Sequence, residues 1–240
     1  TILKNEIKNT RKKYPKIDSE NITRPKILIV SDGYKFKEKQ KLLASLPKDV
    51  TIIGTNQSLN HWNLVGNECP PEQKRAMAFY VVNNPYSQCM AYFPSKKKYF
   101  PKCIASTRTY PPFLEEYNGI KYLYMPTKEK TYSGIDIEPN YQIDDYRNPI
   151  CAAIGLAHQW KVSKLMLFCC DDSFEDERPS AIKVDNLWCY PQQIMSKNII
   201  DTNLGCLKNV EISDHSSGGK LKNATYINED EITGFFKNEL

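Results

Sequence analysis

Four continuous apolar runs, each followed by a polar turn and a helical stretch, decide most of what this chain can fold into. They are "KILIV" (Lys26 to Val30), "VTIIG" (Val50 to Gly54), "AMAFYVV" (Ala76 to Val82) and "KLMLFCC" (Lys164 to Cys170). A strand with one wet face alternates polar and apolar residues. Runs that do not alternate belong to strands covered on both faces, the usual case in parallel sheets. "KCIAS" (Lys102 to Ser106), "IKYLYM" (Ile120 to Met125) and "NVEIS" (Asn209 to Ser213) read as further strands. Helical spacing appears between them. "KFKEKQKLLASLP" stops at Pro47, "SLNHWNLVG" ends near Gly66, and "NNPYSQCMAYF" reads as a turn and helix. "NPICAAIGLAHQWKV" carries small and apolar residues at helical spacing and is entered through Asn148 and Pro149. "PQQIMSKNIIDTNLGCL" is a further helix. Strands alternating with helices predict an α/β, Rossmann-like fold: a mainly parallel sheet with helices on both faces.

The chain has 240 residues, 40% of them hydrophobic and 25% charged, so it can bury a sizeable core. Residues 1–24 read as an N-terminal basic arm or helix, and 25–240 as one Rossmann-like domain. A lid-like segment is expected near 128–148, where "TKEKTYSGIDIEPNYQIDDYRN" has no sustained period and many turn formers. The net charge of +5 is mild, with its surplus in "KNTRKKYPK" and "SKKKYFPK". These segments are solvated surface or contacts for phosphate or an acidic partner. Protein partners are therefore expected through the basic arm, and nucleic acid is left open as a partner. The sequence leaves the oligomeric state open.

The eight cysteines form no CxxC pair, and several sit in apolar runs, as in "LMLFCCDD". That usage predicts free thiols in a reducing, cytoplasmic setting rather than disulfides or zinc ligands. No apolar run approaches the ~20 residues of a membrane span, and no signal peptide is legible at the N-terminus.

Parallel sheets bind ligands at the carboxyl ends of their strands, so the residues just after each strand are the candidates. After the first strand, Gly33 either lets backbone amides approach a phosphate or makes an ordinary strand-to-helix turn. After the second, the amides of Asn56 and Gln57 either bond a base or ribose or cap the next helix. Asn83 and Asn84 follow the third. Asp171 and Asp172 follow "KLMLFCC"; they are metal ligands for Mg²⁺, a base, or capping and surface charges. His215, in "SDHSSGG", is read as lying on a flexible loop. It is a candidate general base or a plain loop residue. His158 reads as a packed or surface residue, and His61, beside Trp62 in a short helix, is ambiguous. The Ser, His and Asp residues show no nucleophile-elbow pattern.

The order "ILIVSDGYKFKE … LPKDVTIIGTNQS … AMAFYVVNNPYS … NPICAAIGLAHQWKVSKLMLFCCDDSF" resembles the Rossmann-like domains of the 6-hydroxymethylpterin diphosphokinase MptE-like family. It is more distantly similar to bacterial sialyltransferases of the Campylobacter type. The resemblance spans roughly Lys26 to Phe174, and "SDHSSGGKLKNATYI" looks like the Gly-Gly tail of the first family. It implies nucleotide binding by Ser31, Asp32, Gly33, Asn56 and Gln57, and by Asn83 and Asn84 in an Asn-Pro turn. Asp171 or Asp172 matches the acidic residue after the late strand. Where the family has Gly-x-Gly-Pro-Ser, this chain has Ser31-Asp32-Gly33-Tyr34-Lys35, which puts a carboxylate where a phosphate would approach.

Two functions follow. The first is a nucleotide-dependent transferase of glycosyl or diphosphoryl groups, taking a nucleotide or nucleotide-sugar donor and an acceptor of unknown identity. In it the reaction runs with or without Mg²⁺ at Asp171 or Asp172, and His215 or Asp172 is the catalytic base. Tyr132, Tyr141 and Arg147 close over the substrate. The second is a pseudoenzyme: a degenerate, non-catalytic member of the fold serving as a structural or adaptor module.

Overall fold

The computed structural model describes residues 2–12, 14, 15, 17, 23–65, 76–93, 100–127, 142–171, 177–184, 187–216 and 221–237. Nine strands form one sheet, all pairs parallel: β1 (Lys26–Val30), β2 (Thr51–Thr55), β3 (Phe79–Val82), β4 (Lys102–Ser106), β5 (Lys121–Pro126), β6 (Gln142–Ile143), β7 (Lys164–Phe168), β10 (Glu211–His215) and β11 (Thr225–Tyr226). Their order is β11-β10-β7-β1-β2-β3-β4-β5-β6. A separate antiparallel hairpin pairs β8 (Ile182–Val184) with β9 (Leu187–Cys189). The chain is therefore an α/β protein of Rossmann-like arrangement, and the three runs "KILIV", "VTIIG" and "KLMLFCC" supply interior strands.

Alternate residues of β1 go to opposite sides. Ile27 and Ile29 join a core with Ile150, Ala153 and Ile154 of α5 (Pro149–Gln159) and Ile200 and Leu204 of α6 (Pro191–Leu204). Leu28 and Val30 join a second core. It contains Phe36 of α2 (Phe36–Lys39), Leu59 and Trp62 of α3 (Ser58–Val65), Phe113 of α4 (Pro111–Glu116), and Ile232 and Phe236 of α7 (Ile232–Lys237). Burial on both faces is why these strands lack alternation. α5 starts as its sequence indicates: the Asn148 side chain accepts from the Ile150 amide at 2.8 Å, and Pro149 occupies the first turn, where its missing N–H costs nothing.

The stretch after β1 differs from the expected single helix. It is α-helical only from Phe36 to Lys39 and continues as a 3₁₀ turn, Gln40–Ser45. Helical spacing does not separate the two geometries over so few residues. Another helix, α1 (Ile2–Thr10), packs beside α4, where Lys8 and Lys12 both pair with Glu115 at 2.9 Å. The seven described cysteines are all free thiols. No described helix is long and apolar enough to cross a membrane. Most of the expected lid lies outside the described residues, as do Tyr132, Tyr141 and Asp172.

Candidate functional site

The order in which strands are added reverses between β1 and β7. From β1 the chain steps outward through β2 to β6, then returns to place β7 on the other side of β1. Such a switch point normally leaves a crevice at the carboxyl ends. Here backbone contacts occupy it. The Gly33 amide donates to the Cys169 carbonyl at 2.9 Å, and the Ser31 amide donates to that of Phe168 at 3.1 Å. The Tyr34 amide donates to Asp171 Oδ1 at 3.1 Å. A Cβ on Gly33 would lie 2.0 Å from Asp171 Oδ1 and 2.4 Å from the Cys169 carbonyl oxygen. Gly33 is thus needed for the approach of β1 and β7, and its amide points at a carbonyl. The loop's carboxylates crowd this junction. Burial raises the Asp32 carboxyl, offset in part by the Gln57 amide and the Ser31 hydroxyl, while Asp171 raises it further.

Beside this junction, over the ends of β2, β3 and β4, lies a cavity of about 370 Å³. Asn56 enters from β2; Asn83, Asn84, Pro85 and Tyr86 from β3; Ser106 and Arg108 from β4. Asp145, Arg147 and Pro149 close it from the turn into α5, and Ile2 of α1 and Tyr92 complete the wall. Asn56 links cavity and junction. Its backbone adopts φ 51°, in the left-handed region that asparagine tolerates, and its Nδ2 donates to Ser31 Oγ at 3.1 Å.

Asp145 organises the inner wall. Its Oδ2 accepts from Tyr124 Oη at 2.8 Å and from Asn83 Nδ2 at 3.4 Å. Its Oδ1 accepts from the Arg147 amide at 2.9 Å. Burial raises this carboxyl above the usual range, and the three donors with the Arg108 guanidinium pull it back. The result is a buried carboxylate held in place by its neighbours. Asn84 is also fixed: its Oδ1 accepts from the Tyr86 amide and its Nδ2 donates to Tyr92 Oη. Arg108 is buried and Arg147 exposed, so the cavity has one cation in its wall and one at its mouth. The first turn of the eleven-residue helix α5 adds the positive end of its dipole.

The sequence-selected residues therefore divide. Asn56, Asn83, Asn84 and Arg147 meet in the cavity; Ser31, Asp32, Gly33 and Asp171 form the adjoining junction; Gln57 is exposed beside Asp32. His215 requires correction: it is the last residue of β10 rather than a loop residue, and it is 2% exposed. Register with Phe168 puts it over that ring, at 5.3 Å between centroids. Nδ1 lies 2.9 Å from the Ile227 carbonyl, so this nitrogen carries the proton and Nε2 faces Lys39 Nζ at 3.4 Å. Burial and Lys39 lower its pKa. His215 is not among the residues lining the cavity. Arg108 and Asp145 are the cavity residues that strand-end reasoning passed over. "TRT" directly follows "KCIAS", and applying the same rule to that strand finds Arg108. Among the described residues no three His, Cys, Asp or Glu side chains gather as a metal site. Asp171 has one oxygen accepting from the Tyr34 amide.

The architecture and this position define a Rossmann-like sheet with an amide- and arginine-bearing cavity at its carboxyl edge. The fold is similar to that of the MAf glycosyltransferase from Magnetospirillum magneticum AMB-1, with a TM-score of 0.72 and 13% sequence identity. The likeness covers 95% of this chain and 38% of that one, and at this identity it is a likeness of fold. No family model matches the chain, and a sequence search of curated proteins finds no match, so the MptE-like and sialyltransferase resemblance is not confirmed.

Proposed function

We propose that the chain is the donor-binding module of a glycosyltransferase that uses a nucleotide-sugar. The observation that carries this reading is the cavity: amides, two arginines and a helix N-terminus converge on one cavity at the carboxyl edge of a parallel sheet. Its volume suits a small ligand. The similarity to a protein described as a glycosyltransferase supports the reading.

In this proposal Asn56 and Asn83 hold the nucleoside through hydrogen bonds. Arg108, Arg147 and the start of α5 face the phosphate, where charge develops as the bond from the sugar's anomeric carbon to the phosphate oxygen breaks. The acceptor hydroxyl forms the new bond to that carbon and gives up its proton. Asp145 holds Asn83 and the Arg147 turn in place.

The test is a thermal-shift screen of UDP-glucose, GDP-mannose and CMP-sialic acid at millimolar concentration, with and without Mg²⁺. A ligand at about 100 times its Kd stabilises the folded state by about 2.7 kcal/mol, a shift of roughly 5–10 °C for a protein of this size. Arg147→Ala should reduce the shift without lowering the unliganded Tm by more than about 2 °C, because it is exposed; Asn56→Ala should reduce the shift and also lower the unliganded Tm by about 2–4 °C or more, because it gives up the Ser31 bond and a left-handed turn that asparagine tolerates. Absence of a shift with every donor would overturn the proposal and leave the non-catalytic module in its place.

A further inference from the structure

Helix α1 buries its polar residues. Asn5, Glu6 and Asn9 are 6%, 0% and 1% exposed, while Lys4 and Lys8 face outward. Asn5 and Asn9 are one turn apart and therefore share a face. Each amide donates twice. Asn5 Nδ2 reaches the carbonyls of Pro85 at 2.9 Å and Arg108 at 3.1 Å. Asn9 Nδ2 reaches those of Thr107 at 2.9 Å and Thr109 at 2.7 Å. Backbone carbonyls only accept, so these contacts fix both amides in one orientation. The four acceptors lie on two loops, the one after β3 and the one after β4. Those loops put Asn84, Tyr86 and Arg108 on the cavity, and Ile2 of the same helix lines it.

We infer that Asn5 and Asn9 are positioning residues of the cavity: through α1 they hold the Pro85 and Thr107–Thr109 loops in the arrangement that presents Arg108. Parallel pairing ends at Val82 on β3 and Ser106 on β4. Beyond it the loops are tied by the Thr107 amide to the Tyr124 carbonyl, by the Tyr110 amide to the Asn84 carbonyl, and by the four contacts from α1, which join both loops to one helix. The inference rests on the glycosyltransferase reading only for the identity of the ligand. By linkage, whatever fills the cavity also tightens α1, and whatever displaces α1 loosens the ligand.

Hydrogen-exchange mass spectrometry of the full chain tests this without a ligand. The reporters are the amides of Tyr86, Thr107, Arg108, Thr109 and Tyr110, each bonded within or between the two loops or to Tyr124. Asn5→Leu/Asn9→Leu keeps the branched heavy-atom shape and removes all four donors. The expected result is at least about tenfold faster exchange at the reporters, with β7 (Lys164–Phe168) unchanged. If the double variant exchanges quickly throughout, Asn9→Ser, which keeps one donor, is read by the same contrast. Detachment of α1 with the reporters still protected would overturn the inference. In a second arm, a nucleotide-sugar that raises the Tm should slow exchange in α1 of the wild type, and a bound donor that leaves α1 unaffected would also overturn it. If no donor binds, the proposed function fails while the first arm still decides the role of Asn5 and Asn9.

Discussion

Replacing Gly33 by alanine tests whether the β1 loop is a packed junction or an open anion seat. The ideal methyl position lies 2.0 Å from Asp171 Oδ1, 2.4 Å from the Cys169 carbonyl oxygen and 2.9 Å from its carbon. The carboxylate can swing away, but the Cys169 peptide is backbone, packed between β1 and β10. Accommodation therefore requires β1 and β7 to separate at their ends. That breaks the Gly33–Cys169 bond, at about 1 kcal/mol, and the charged Tyr34–Asp171 bond, at about 2 kcal/mol. Strain from overpacking adds about 1–3 kcal/mol. The total is about 5 kcal/mol, which lowers the Tm by roughly 10 °C or more in a chain of this length. Differential scanning calorimetry of the apo protein reads it directly. Asp171→Ala in the Gly33→Ala background should recover only a small part, because the backbone clash persists. A Gly33→Ala protein melting within about 2 °C of wild type would refute the packed junction and return the loop to phosphate binding.

Other perturbations follow from named contacts. Asp214, on β10, is 1% exposed, and burial pushes its carboxyl up to about 7. Because the folded value exceeds the unfolded one, its contribution is fully present below about pH 4 and lost as pH rises towards 7, up to about 4 kcal/mol. Asp214→Asn should flatten the fall in Tm between pH 4 and 7, as thermal melts in a buffer series will show. Asn148→Ala removes the cap on Ile150 and should cost about 1 kcal/mol in urea unfolding. Lys164, buried at the foot of β7, donates to the Phe235 carbonyl at 2.9 Å and pairs with Glu211 at 3.2 Å. Lys164→Ala should cost about 2 kcal/mol and speed amide exchange in α7 before the rest of the sheet.

The sequence was most legible where burial on both faces leaves continuous apolar runs. Lys26–Val30 and Lys102–Ser106 were read to the residue, and Thr51–Thr55 was displaced by one. Two-residue strands such as Gln142–Ile143 and Thr225–Tyr226 are too short to carry a period, and the hairpin at Ile182–Cys189 lacks a hydrophobic alternation of useful length. In the site, the strand-end rule found Asn56, Asn83 and Asn84 because amides after a buried strand stand out. It missed Asp145, whose importance comes from Tyr124, twenty-one residues earlier, and from Asn83 on another strand. Gly33 was visible as a special residue, but its reason was not. A glycine that admits a phosphate and one that admits a neighbouring peptide look alike in sequence. His215 was misread because the strand "EISDH" ends among polar residues, and only its position over Phe168 shows that it is packed.

The clasp made by α1 also sets an order of assembly. Asn9 meets Thr107 across 98 residues and Thr109 across 100. Closing a loop that long gives up chain entropy before any contact repays it, whereas β1 to β5 each pair with the next strand in sequence across far shorter separations. The loops after β3 and β4 acquire their shape only once those strands have paired. α1 therefore has no formed surface to dock on until the centre of the sheet exists. The wall of the cavity is completed late in folding by a segment that leaves the ribosome before any strand of the sheet. A chain refolding from denaturant should regain its sheet signal ahead of its capacity to bind a ligand.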